Sequence, residues 1–112
     1  MLHRKNKIRQ YHTSSAADLL KEVMDYYHIT QEDLASRIGT SQKNLSDILN
    51  HKNYLNEVLA LRIEDVMGIS SSLLLRLDAN YKLNLARKEH EDTKDDSHSS
   101  LFLQRYDWVT TS

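Results

Sequence analysis

The chain has 112 residues, with 15 lysines and arginines against 16 aspartates and glutamates, a formal net charge of −1, and no cysteine. That size supports one helical core with tails, and the missing thiols exclude disulfides and thiolate metal sites, which fits a reducing intracellular setting. No apolar run approaches the roughly 20 residues of a membrane span, and the basic start lacks the apolar stretch of a signal peptide, so the chain reads as cytoplasmic.

Charge is unevenly spread. Residues 1–13 carry Arg4, Lys5, Lys7 and Arg9 without an acid and read as a basic N-terminal tail, whereas residues 89–112 hold six acids against Lys94 and Arg105, for −4. Residues 14–88 are near neutral. That neither favours nor excludes nucleic acid, because a DNA-binding face needs its bases on one side rather than a basic sum. With no proline, two glycines and apolar residues recurring at three and four, the fold class is all-α.

Ser14 or Ser15 caps a first helix predicted to run to about His28, with Leu19, Leu20, Val23 and Met24 on its inner face. Thr30 begins a short second helix, with Asp33 able to reach back in a variant capping box and Gly39 placed to end it. Ser41 caps a third helix whose buried stripe is Leu45, Ile48 and Leu49, leaving Gln42, Lys43, Asn44, Asp47 and Asn50 on its other faces. Asn56 begins a fourth, with Leu59, Ile63 and Val66 at helical spacing before a stop at Gly68. Ser70 begins a fifth, with Leu73, Leu74, Leu77 and Tyr81 inward and helix formers as far as about Lys88. Residues 89–100 hold five acids, two histidines and three serines, too little apolar surface to offset ordering entropy, and read as a flexible linker. Leu101, Phe102, Leu103, Tyr106 and Trp108 then restore an apolar segment suited to docking on its own domain, a second copy or a partner.

The second and third helices are joined by only about three residues, so they cannot lie antiparallel and the third protrudes, as insertion into a major groove requires. Residues near the N-terminus of such a helix reach base edges. Gln and Asn can bond adenine bidentately, Lys can donate to guanine and Asp can accept from cytosine, each worth roughly 1–3 kcal/mol of discrimination. Gln31, in the first turn of the second helix, is placed to hold a phosphate beside free backbone N–H groups. The candidate DNA-contacting set is Gln31, Ser41, Gln42, Lys43, Asn44, Asp47, Asn50 and Lys52.

The stretch ITQEDLASRIGTSQKNLSDILNHK, residues 29–52, resembles the Xre/Cro-type helix-turn-helix, with Gln31, Leu34, Ala35, Ile38, Gly39, Ser41, Leu45 and Ile48 in register. The continuation LNEVLALRIEDVMGISSSLLLRLDANYKL, residues 55–83, resembles the HigA-type antitoxin branch through Ala60, Leu61, Gly68, Ser70, Leu77 and Tyr81. The resemblance spans about residues 12–90. It implies a five-helix, lambda-repressor-like DNA-binding domain over residues 14–88 with flexible N- and C-terminal tails. It also implies Gln31 as phosphate anchor, and Ser41, Gln42, Lys43, Asn44 and Asp47 facing DNA. Three departures stand out. His51 replaces the glycine usual after the recognition helix, Leu74 a tryptophan usual in the branch, and Asp78 a Gln or Glu. Asp47 would repel phosphate and predicts weak, narrowly selective binding.

The implied function is an antitoxin that acts without a cofactor. It would bind double-stranded operator DNA as a homodimer, neutralise a cognate ribonuclease toxin and repress its own operon. Two alternatives stay open: a phage- or mobile-element-type repressor without a toxin, and a protein-interaction adaptor that has lost DNA binding. The six histidines form no i, i+4 pair and no HExxH, and Glu64 and Asp65 read as solvated helix charges, so neither a metal site nor catalysis is expected.

Overall fold

The computed structural model describes residues 14–93 and 101–109. Five helices follow one another: α1 (Ala16–Tyr26), α2 (Gln31–Ile38), α3 (Gln42–Leu49), α4 (Glu57–Met67) and α5 (Ser71–Thr93). The described residues contain no strand. The predicted basic tail, 1–13, and residues 94–100 of the predicted linker lie outside the described residues.

Each of the first four helices starts on an oxygen-bearing side chain. Ser15 Oγ accepts from Asp18 N–H at 3.3 Å, and Asp18 Oδ2 accepts from Ser15 N–H at 3.0 Å, a complete capping box at the head of α1. Thr30, Ser41 and Asn56 cap α2, α3 and α4 in the same way but singly. The reciprocal contact expected of Asp33 is absent. Its carboxylate turns along the helix to Arg37 Nε at 3.0 Å, a partner one turn away on the same exposed face.

The first three helices also share one way of ending. After α2, Gly39 is left-handed (φ 69°), with Gly39 N–H bonded to Ser36 O at 3.3 Å and Thr40 N–H to Ala35 O at 3.0 Å, the paired bonds of a Schellman motif. Histidine takes the glycine's place twice. His28 (φ 56°) ends α1 at Tyr26, two residues before the predicted stop, as Ile29 N–H reaches Met24 O at 2.8 Å. His51 (φ 63°) ends α3, as Lys52 N–H reaches Asp47 O at 2.8 Å. The turn after α3 therefore forms without a glycine, because histidine tolerates this backbone region better than most residues.

The core is Leu20 and Met24 of α1, Leu34, Ala35 and Ile38 of α2, Leu45, Ile48 and Leu49 of α3, Leu59 and Ile63 of α4, and Leu74 of α5. Two predicted stripes are rotated. In α4, Ala60 is buried while Val66 is 42 % exposed. In α5, Leu73, Leu77 and Tyr81 are only half-buried, and the inward line is Leu74 and Asp78. Asp78 is buried because it has work for its charge: Oδ1 accepts from Ala16 N–H at 2.9 Å and Oδ2 from Leu55 N–H at 3.3 Å. Ala16 opens α1, so the carboxylate sits where helix-end N–H groups and the helix dipole favour an anion.

Arg62 of α4 donates from Nη1 to Ile38 O at 3.2 Å, placing a cation on the C-terminal end of α2. Glu64 Oε1 accepts from Ser71 N–H at 3.0 Å, and the Ser71 hydroxyl and N–H together hold its carboxyl below the usual carboxylate range. Helix α5 runs past Lys88 to Thr93, into the stretch expected to be linker, because helix propagation costs little and Glu89 and Glu91 are good helix formers.

Candidate nucleic-acid interface

Helices α2 and α3 are separated by residues 39–41 alone, and α3 packs on both α1 and α2. With Leu45, Ile48 and Leu49 in the core, the first turn of α3 faces outward. Ser41 Oγ accepts from Asn44 N–H at 3.0 Å, which fixes where the helix begins and so which side chains emerge.

Gln42 is exposed and its amide has no hydrogen-bond partner among the described residues. Lys43 points outward, with its side chain 85 % exposed, and its Nζ lies 3.1 Å from Asp47 Oδ2. Asp47 is thus a paired anion set back at the helix surface. Asn44 is half-buried: its Nδ2 donates to Thr40 Oγ1 at 2.9 Å and its Oδ1 accepts from Asn53 Nδ2 at 3.1 Å. Thr40 and Asn53 were not foreseen from the sequence. They lie in the turns before and after α3, and the half-buried amide of Asn44 joins the two.

The remaining expected residues are more dispersed. Gln31 is exposed at the first position of α2. Lys52 is exposed just beyond His51. Asn50 folds back on its own helix, with Nδ2 donating to Ser46 O at 2.9 Å. Gln42, Lys43, Asn44 and Asp47 therefore form one cluster at the head of α3, while Asn50 and Lys52 mark its tail.

A row of rings fastens that tail to the rest of the domain. His51 stacks on Tyr81 of α5 with centroids 4.9 Å apart and planes at 20°, and His51 Nε2 lies 3.5 Å from Asp18 Oδ1 of α1. Tyr81 in turn meets Tyr54 at 6.4 Å, and Lys82 Nζ sits 4.7 Å over the Tyr54 ring. Burial, then the neighbouring Tyr81 and Asp78 charges, push the Tyr54 phenol up from its usual value. None of these contacts was legible in the sequence, because α3 and α5 lie far apart along the chain.

In the C-terminal segment, Leu101, Tyr106 and Trp108 are each more than 70 % exposed, and the Tyr106 and Trp108 rings stack with centroids 5.5 Å apart. Among the described residues, no three His, Cys, Asp or Glu side chains cluster to hold a metal, and no helix is long and apolar enough to cross a membrane.

Residues 20–74 match the helix-turn-helix family, and α2 and α3 within them have the helix-turn-helix arrangement. The fold resembles that of several solved antitoxin and antidote proteins. The antitoxin GraA superposes with a TM-score of 0.72 at 20% identity, over 84% of this chain and 97% of that one. The Pseudomonas aeruginosa antitoxin HigA, solved with the higBA promoter, gives 0.68 at 18%, over 80% and 98%. An addiction-module antidote protein of a HigA family from Coxiella burnetii gives 0.64 at 18%, over 77% and 96%. No curated protein matches the chain.

Proposed function

We propose that the protein is a sequence-specific DNA-binding antitoxin that represses its own operon, with α3 as the helix inserted in the major groove. The observation that carries this is the head of α3: Gln42, Lys43 and Asn44 emerge together from a helix whose opposite face is wholly in the core. Side chains of this kind at this end of such a helix are what base-edge reading uses. Gln31 would hold a phosphate from the first turn of α2, with Ser41, Asp47, Asn50 and Lys52 lining the approach.

One α3 spans few base pairs. The protein would therefore act as a homodimer on a two-fold site, and repression would be occupancy of that site. Neutralisation of a co-encoded ribonuclease toxin is the finer part of the reading, supported by the fold shared with GraA and the HigA proteins.

The test is selection of duplexes from a random pool, followed by gel shift on the selected site and on the DNA upstream of the gene. Lys43→Ala is expected to weaken the selected complex by about 5- to 150-fold per half-site, from roughly 1–3 kcal/mol per bidentate contact. Unchanged retention by Lys43→Ala, or selection of no sequence at all, would overturn the DNA reading. Co-expression with the product of the adjacent gene tests the toxin separately: failure to form a complex or restore growth refutes that part alone.

A further inference from the structure

We infer that Asn44 reads an adenine, and that Thr40 and Asn53 are positioning residues that hold its amide for that contact. The inference rests on the DNA-reading proposal and names what one of its residues recognises. A primary amide has two N–H donors and two acceptor lone pairs. In Asn44 one donor is occupied by Thr40 Oγ1 at 2.9 Å and one lone pair by Asn53 Nδ2 at 3.1 Å. One N–H and one lone pair remain. That is the complement of adenine, whose major-groove edge offers N7 as acceptor and N6–H as donor, whereas guanine offers only acceptors there.

The surroundings separate Asn44 from its neighbours. Gln42 is exposed and unpartnered among the described residues, so its side chain must be ordered on binding. Lys43 must first leave Asp47 Oδ2, 3.1 Å away. Asn44 is half-buried and already oriented by groups on both flanking turns, so it loses the least freedom on contact. Those turns are themselves fixed: Thr40 N–H is bonded to Ala35 O at 3.0 Å and Asn53 N–H to Asp47 O at 3.2 Å. The side-chain clamp thus stands on backbone that does not depend on it.

The experiment uses the full chain and the selected duplex, and reads the ratio of Kd values between each substituted base pair and the selected one. In the wild type one A·T pair per half-site is expected to give a ratio of about 5 to 150, and Asn44→Ala to bring it near one. Thr40→Val and Asn53→Ala should lower the same ratio by about fivefold or more, while Thr40→Ser, which keeps the hydroxyl, retains it. A purely structural role would weaken both duplexes alike and leave the ratio unchanged. Wild-type protein with 7-deazaadenine at that pair needs no variant to fold and should lose the preference. A ratio unmoved by Thr40→Val and Asn53→Ala overturns the clamp, and one unmoved by Asn44→Ala or 7-deazaadenine overturns Asn44 as the reader. Both results leave sequence-specific binding standing. A wild type that selects no sequence removes the DNA reading itself.

Discussion

Replacing Asp78 by alanine takes away a side chain that ties three distant parts of the domain together. The carboxylate is 4 % exposed and accepts from Ala16 N–H and Leu55 N–H. Without it two backbone donors lose their acceptor in a region closed to water, at about 1–3 kcal/mol each. Removing a buried charge gives some of this back, so the expected loss is about 2–4 kcal/mol, a large part of the roughly 5–15 kcal/mol that stabilises a domain. Asp78→Asn keeps one carbonyl acceptor but turns an amide N–H toward the second donor, and should fall between wild type and alanine. Urea unfolding followed by circular dichroism gives the difference directly, with an unchanged m-value expected, and the melting temperature should fall by roughly 8 °C or more. A loss below about 1 kcal/mol for Asp78→Ala would refute the view that this carboxylate holds α1, α5 and the segment before α4 together.

The two glycines provide a paired test. Gly39 and Gly68 are both left-handed, so alanine at either costs about 1–2 kcal/mol, but a Cβ on Gly39 would also meet Arg62 Nη1 at 3.3 Å, whereas nothing lies within 4 Å at Gly68. Gly39→Ala should therefore melt lower than Gly68→Ala. Equal melting points would show that Arg62 yields freely. Glu64 has its folded-state pKa depressed by Ser71, so its contribution is present above the usual 4.5 and lost as pH falls through the lower folded value. Glu64→Gln should flatten the melting-temperature profile in that acid window; an unchanged profile refutes the assignment. Asp47→Asn removes an anion from the proposed DNA-facing surface and releases Lys43, so binding to any duplex should strengthen at low salt. An unchanged affinity would mean that Asp47 does not lie near the DNA.

The position of every helix start was legible because a cap is a local event. Thr30, Ser41 and Asn56 each bond an N–H three residues on, within reach of any reading of the chain. Helix ends were less legible. Gly39 and Gly68 announce themselves, but His28 and His51 take the same left-handed geometry without a glycine to mark it. The predicted cluster at the head of α3 came from the Ser41 cap and helical periodicity. Its finer state did not, since the pairing of Lys43 with Asp47 and the folding back of Asn50 are choices among rotamers.

The sequence by itself determined the all-α class, the five helices and the outward face of α3, because propensity, capping and the 3.6-residue period act over a few residues. Tertiary structure alone decided what is done with groups that the local pattern leaves over. Asp78 interrupts an apolar stripe and looks misplaced until Ala16 and Leu55, 62 and 23 residues away, bring their N–H groups to it. His51 finds Tyr81 and Asp18, and Asn44 finds Asn53, only once the turns around α3 have closed. A buried polar group is satisfied by whatever donor or acceptor the fold delivers, and that partner's position is set by the packing of the whole chain.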